Sequence, residues 1–203
     1  MIAIVDYGVG NLFSLKSSFA AIGYPAEVSG DRSVLRNADK LILPGVGAFR
    51  DAADKLKSTG LFELIREEAE KGKPLLGICL GMQMLFEKSY EDGEYEGLSL
   101  LSGTVRPIGE VIPKDLKIPQ IGWNSLTFRK ESPLFSGIEE GSYVYFVHSY
   151  SAMDSSDVIA ETEYGAFLTA AAGKGNVYGC QFHPEKSGET GLKILKNFAK
   201  EIR

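Results

Sequence analysis

Leu75-Leu76-Gly77-Ile78-Cys79-Leu80-Gly81-Met82-Gln83 is an apolar run that stops at a cysteine, passes a glycine and continues with helical character. Pro74 to Ile78 reads as a strand buried on both faces, because its apolar residues follow one another without alternation. Leu80 to Lys88 reads as a helix. A strand that feeds directly into a helix is the repeating unit of an α/β sheet.

The same alternation extends toward the N-terminus. Ile2 to Val5 is a short apolar run ended by Asp6-Tyr7-Gly8-Val9-Gly10-Asn11. Leu12, Leu15, Phe19 and Ile22 then recur at helical spacing, and Gly23 supplies a stop. Lys40 to Leu43 is the second strand, broken by Pro44-Gly45-Val46-Gly47. Two helical stretches follow, over 48–58 and 61–71. Residues 97–180 differ: short β-rich runs at 143–147, 158–162, 167–171 and 176–182 are separated by turn residues. Leu192, Leu195, Phe198 or Ala199, and Ile202 form the apolar stripe of a last helix. The expected fold class is α/β: one mostly parallel, twisted sheet flanked by helices, with antiparallel β additions in the second half. A chain of 203 residues is expected to form one domain, 1–203.

Composition narrows the function. Hydrophobic residues make up 44% of the chain, enough for a large core, and the net charge is −5. No Lys/Arg block stands out, which argues against nucleic acid as a partner. No apolar run approaches the roughly 20 residues of a membrane span. The N-terminus reads as a first strand instead of a signal peptide. Two cysteines make no disulfide framework, so the expected setting is the reducing cytoplasm. The two histidines lie far apart, and no CxxC or HExxH pattern is present, so no metal and no cofactor are expected.

In open α/β sheets, sites gather at the carboxyl ends of strands. The turns after Val5 and Leu43, Cys79 itself, and His183 all occupy such ends. A cysteine in an apolar run is by itself a small hydrophobe. At a strand-to-helix turn it is instead raised on a tight elbow, where the crowded backbone needs small neighbours. Gly77 and Gly81, two residues either side, meet that need, with the spacing of the serine elbow. The N-terminus of the following helix is expected to favour thiolate. Cys180, in Val177-Tyr178-Gly179-Cys180-Gln181-Phe182, lacks this setting and reads as core. In Gln181-Phe182-His183-Pro184-Glu185, an extended segment points His183 and Glu185 to one side. Glu185 then orients one ring nitrogen while the other faces the thiol, which is the logic of a triad. His148 lacks a nearby downstream carboxylate and reads as a satisfied structural histidine or a pocket wall. An acyl transfer also needs oxyanion donors. The Leu80 N–H is one, and Pro44-Gly45-Val46-Gly47 offers another or is a plain turn.

The cysteine elbow and the His-Pro-Glu segment together resemble the class I (triad-type) glutamine amidotransferases. Asp6-Tyr7-Gly8-Val9-Gly10-Asn11, Pro44-Gly45-Val46-Gly47-Ala48-Phe49 and Ile121-Gly122-Trp123-Asn124 are similar to one branch, the glutaminase subunits of imidazole glycerol phosphate synthase in histidine biosynthesis. The resemblance implies that Cys79 attacks the carboxamide of glutamine, with His183 as proton shuttle and Glu185 orienting it. It implies an oxyanion hole from the N–H groups of Val46 and Leu80, and glutamine binding by Gly47, Gln83 and Ser149. It further implies a heterodimer with a (β/α)₈-barrel cyclase subunit, which receives the ammonia and faces Asn11, Trp123, Tyr145 and Lys186. The isolated chain is then nearly inactive, and the Pro44–Gly47 segment is a candidate switch. Taken singly, Trp123 reads as core and Lys186 as a surface lysine. A glutaminase subunit of another synthase and a related cysteine hydrolase remain alternatives. The glycine-rich segments weigh against the first, and Gln83 with His-Pro-Glu against the second.

Overall fold

The computed structural model describes residues 1–202. Its chain begins with β1 (Ile2–Val5), α1 (Leu12–Ala21), β2 (Ala26–Ser29), α2 (Arg32–Asn37) and β3 (Lys40–Leu43). Next come α3 (Phe49–Ser58), α4 (Leu61–Glu70), β4 (Leu75–Ile78) and the single turn α5 (Leu80–Gln83). The second half contributes β5 (Lys88–Ser89), β6 (Tyr95–Glu96), β7 (Thr104–Pro107), β8 (Gln120–Ser125), β9 (Thr127–Phe128), β10 (Tyr143–His148) and β11 (Tyr150–Met153). Strands β12 (Val158–Glu163), β13 (Phe167–Lys174) and β14 (Val177–Cys180) precede the last helix, α6 (Gly188–Glu201).

The main sheet has eight strands in the order β2-β1-β3-β4-β14-β13-β12-β9. The first five are parallel to one another and the last three antiparallel. The sequence expectation of a parallel sheet with antiparallel additions therefore holds. Two smaller sheets complete the fold, the β10–β8 ribbon and the set β11-β7-β5-β6.

Strands β1, β4 and β14 are buried at every residue. Alternate side chains enter two cores. Ala3, Val5, Leu41, Leu43 and Leu75 face the core under α3 and α4, whereas Ile2, Ile4, Ile42, Leu76 and Ile78 face the one under α1 and α6. A strand covered on both faces has no polar side, which is why its sequence is continuously apolar.

Three sequence expectations need correction. Strand β2 and helix α2 fall where no element was expected. β2 is an edge strand with only Ala26 buried, so its sequence lacks an apolar run. α2 is short, and its start is fixed by Asp31, whose carboxylate accepts from the N–H groups of Ser33 and Val34. The helix expected to reach Lys88 stops at Gln83. Its continuation, Met84 to Phe86, is apolar because it is buried in irregular turns. In α6 the buried face carries Ile194 and Leu195 with Phe198, while Leu192 is only half-buried.

Where strand β3 ends, its backbone presses on the turn after β4. A Cβ placed on Gly81 would stand 1.9 Å from the Leu43 carbonyl oxygen, a distance no side chain can occupy. Gly23, after α1, is a different case: its φ is +81° and the space around it is open. Gly81→Ala is therefore expected to cost at least about 3 kcal/mol or to prevent folding. Gly23→Ala should cost only about 1 kcal/mol through its backbone conformation. Equilibrium urea unfolding of the two variants measures both, and equal losses would contradict the contrast.

Candidate active site

Cys79 stands where β4 turns into α5, with φ 55° and ψ −113°. A non-glycine residue held there is strained, and such strain persists only where its surroundings impose it. Here they do. The Cys79 N–H donates to the Cys180 carbonyl at 2.7 Å, extending the β4–β14 ladder by one bond. The Gln83 N–H donates to the Cys79 carbonyl at 3.1 Å. A Cβ on Gly77 would lie 2.5 Å from the Gly81 carbonyl oxygen. The glycines thus let three backbone segments touch around the cysteine. The residue is nearly buried, 8% exposed. Since α5 is one turn long, the field at the sulfur comes from nearby groups and owes little to a long helix dipole.

One of these groups is His183. It follows β14 but does not lie in an extended segment with Glu185, as the sequence suggested. Pro184–Lys186 is a 3₁₀ turn entered from His183. The tighter turn still brings Glu185 Oε1 to 2.9 Å from His183 Nδ1. Nε2 is left as the nitrogen able to face the sulfur. The His183 N–H donates to the Tyr145 carbonyl at 2.9 Å, and the Ser187 hydroxyl donates to the His183 carbonyl at 2.6 Å. Burial disfavours the imidazolium, but hydrogen bonds to Cys79 and Glu185 outweigh it and raise its pKa to about 9. His183 is therefore a cation at neutral pH, paired with a Glu185 side chain that is 1% exposed.

Beside Cys79 lies a cavity of about 300 Å³, the size for one small polar molecule. Val46, Gly47, Leu80, Gln83 and Ser149 all line it with Cys79 and His183. The Pro44–Gly47 turn is anchored by Tyr7, whose hydroxyl donates to the Pro44 carbonyl at 2.7 Å. Burial, with Cys79 adding to it, pushes the Tyr7 phenol up, so it remains a donor. His148 also lines the cavity. Its ring nitrogens meet the Tyr150 carbonyl and the Gln120 side-chain amide, each at 2.8 Å. Burial lowers its pKa to about 4, with His183 contributing repulsion, so it is neutral. With its one proton on Nδ1 toward the Tyr150 carbonyl, Nε2 is an acceptor, and Gln120 must turn its NH₂ toward the ring in place of Oε1. Both of its expected roles, satisfied histidine and pocket wall, coincide. Cys180 is wholly buried, and burial pushes its thiol well up, with Glu185 adding to the effect.

The residues expected at a partner surface divide. Trp123 is exposed, 55%, and not core. Its ring meets Tyr145 edge-on at 6.1 Å, and Lys186 Nζ sits 5.9 Å from the Tyr145 centroid. These three form one cluster. Asn11 lies apart from them in sequence and element, at the N-cap of α1.

Sequence reasoning missed Glu91 and Gln181. Glu91 lines the cavity, accepts the Phe49 N–H at 2.9 Å, and is raised in pKa, burial being the largest cause. One of two adjacent acids in the turn Ser89-Tyr90-Glu91-Asp92-Gly93, it carries no signal of this. Gln181 is wholly buried and hydrogen-bonded to Gln83. A polar residue within the apolar run 177–182 was its one visible sign. Among the described residues, no group of three His, Cys, Asp or Glu can hold a metal ion.

Comparison with known proteins identifies the family. The family described as glutamine amidotransferase class-I matches residues 3–202. The "Imidazole glycerol phosphate synthase subunit HisH" of Caldanaerobacter subterraneus subsp. tengcongensis is 54% identical over 100% of this chain and 99% of its own. That of Aquifex aeolicus is 50% identical over 98% and 95%. Among solved structures, one described as glutamine amidotransferase superposes with a TM-score of 0.75 at 19% identity, covering 97% of this chain and 98% of the other. The chain belongs to the class I glutamine amidotransferases, in the branch of the HisH subunits of imidazole glycerol phosphate synthase.

Proposed function

We propose that residues 1–203 act as one glutamine amidotransferase domain that hydrolyses glutamine and delivers ammonia to a cyclase subunit. The carrying observation is a strained cysteine elbow beside a cationic histidine that a buried carboxylate orients.

The Cys79 sulfur attacks the carboxamide carbon of glutamine. The carbonyl oxygen becomes an oxyanion, which the N–H groups of Val46 and Leu80 receive. Collapse breaks the C–N bond, and His183 gives its proton to the leaving nitrogen, releasing ammonia. His183 then takes a proton from water, whose oxygen attacks the thioester carbon. Glutamate leaves, and the sulfur is restored. Glutamine and water become glutamate and ammonia, using protein groups and water alone. Gly47, Gln83 and Ser149 hold the substrate. Glu91, the carboxylate among the cavity's lining residues, suits its α-ammonium.

The relatives are named as subunits of a synthase, which supports a partner for this chain. The partner proposed is a (β/α)₈-barrel cyclase in a heterodimer, working on a phosphorylated ribulosyl intermediate in the cytoplasm. One face of the β10–β8 ribbon suits it. There Trp123 opposes Tyr145 and Ile121 opposes Val147 in register. Ile121, Trp123 and Tyr143 are more than half exposed, and Val147 also lines the cavity. Exposed apolar residues gathered beside a site mark an interaction surface. Lys186, beside Tyr145, flanks this face, and Asn11 is assigned to the partner contact from the N-cap of α1. No helix among the described residues is long and apolar enough to cross a membrane.

Glutamate release from glutamine, with and without the cyclase and its ligand, tests the proposal. Release should rise strongly when both are present. Cys79→Ala should lower it by about 10³-fold or more, whereas Cys180→Ser should keep most of it. Activity surviving in Cys79→Ala would sink the nucleophile assignment.

The histidines set the pH response. Activity should fall above about pH 9 as His183 loses the proton needed by the leaving nitrogen. For stability the two act in opposite windows. His183 has a raised pKa, so its contribution is complete below about 6.5 and lost as pH rises through 9. His148 has a lowered pKa, so its contribution is present above about 6.5 and lost as pH falls toward 4. Urea unfolding across pH 4.5 to 9.5 should show greatest stability near pH 6.5. In His183→Gln the alkaline decline should flatten, and an unchanged decline would refute its origin.

A further inference from the structure

Gln181 takes no part in the steps above, yet its side chain ends at the nucleophile. It is wholly buried, so neither solvent nor substrate reaches it. A buried carboxamide is costly unless its oxygen and its NH₂ both find partners. Its oxygen has one: Gln83 Nε2 donates to Gln181 Oε1 at 3.0 Å. Its NH₂ has the Cys79 sulfur, with Nε2 to Sγ at 3.9 Å.

This orientation is dictated from outside the pair. The Tyr150 carbonyl can only accept, and it lies 3.2 Å from Gln83 Nε2. Gln83 must therefore turn its NH₂ inward, toward both Tyr150 and Gln181. Reversing Gln181 alone would set nitrogen against nitrogen at 3.0 Å. One main-chain carbonyl thus fixes two amides, leaving an N–H aimed at sulfur. The backbone is held as well, since the Gln181 N–H donates to the Ala170 carbonyl at 2.8 Å.

We propose that Gln181 is a positioning residue for Cys79, its fixed NH₂ holding the sulfur and favouring the thiolate. This rests on the glutaminase reading only in taking Cys79 as the nucleophile. As a thiol, Cys79 has the Val147 carbonyl as acceptor at 3.9 Å. As a thiolate it finds that oxygen repulsive, and only donors help. His183 is one, but it surrenders a proton during the reaction. Gln181 keeps its N–H throughout, so the sulfur has one donor that no step removes. Gln83 itself lines the cavity, so a substrate pulling on Gln83 also acts on the Gln181 amide.

Alkylation of Cys79 by iodoacetamide, mapped by mass spectrometry and followed against pH, tests this on the full chain without glutamine. In Gln181→Met the pH of half-maximal alkylation should move up by about one unit, the worth of one hydrogen bond to a charged group. With the cyclase present, kcat should fall roughly tenfold while KM changes less than about threefold. A folded Gln181→Met with the parent alkylation profile overturns the proposal, whatever its kcat. Should that variant not fold, Gln181→Glu keeps the shape and the acceptor for Gln83 but turns an oxygen toward the sulfur. It should slow alkylation near neutral pH more than tenfold, and a parent-like rate overturns the proposal. A shifted alkylation profile in a chain that never releases glutamate would overturn the glutaminase reading and leave this one standing.

Discussion

The contact of Gly81 with the Leu43 carbonyl governs the geometry of this molecule. Backbone meets backbone there, with no room for a Cβ. That contact presses the end of β3 against the start of α5, and the chain between β4 and α5 has little choice of path. Cys79 takes the strained conformation left to it. The Pro44–Gly47 turn, leaving β3 at the same point, is brought beside the cysteine. The proposed nucleophile and both proposed oxyanion donors therefore share one steric cause.

Charge is organised around that point by burial. His183 and His148 line one cavity, yet they are driven in opposite directions. His183 finds a carboxylate and the Cys79 sulfur, so it stays protonated. His148 finds a carbonyl and an amide, which cannot compensate for desolvation, so it stays neutral. Two imidazoliums in one small cavity would repel each other. The difference in partners leaves a single positive charge, on the histidine next to the sulfur.

What was legible in the sequence follows from how each segment is buried. β1, β3 and β4 were readable because strands covered on both faces are continuously apolar. β2 was not, because an edge strand with one buried residue has no apolar pattern. α5 was overextended because Met84 to Phe86 owe their apolarity to burial in turns. The Cys79 elbow was legible because its cause is local: two glycines at fixed spacing beside a strand. The His183–Glu185 pairing was legible as a pair but not as a 3₁₀ turn. The roles of Glu91 and Gln181 could not be read for another reason. Their roles depend on Phe49, Gln83 and Tyr150, groups far along the chain that only the fold brings near.

The two cysteines show how finely reactivity depends on position. Cys180 pairs with Ile78 across the ladder, and Cys79 is the residue that follows Ile78 at the end of that strand. The two are joined by the bond from the Cys79 N–H to the Cys180 carbonyl. Cys180 lies inside the sheet, wholly buried, where desolvation keeps it a thiol. Cys79 lies where the strand has just ended. A sheet interior satisfies its backbone internally and leaves side chains only apolar neighbours. Past the last rung the side chain meets groups from β10, from the turn after β14 and from the segment after β3. A nucleophile on this sheet therefore belongs one residue beyond the strand, close enough to be held and far enough to find donors.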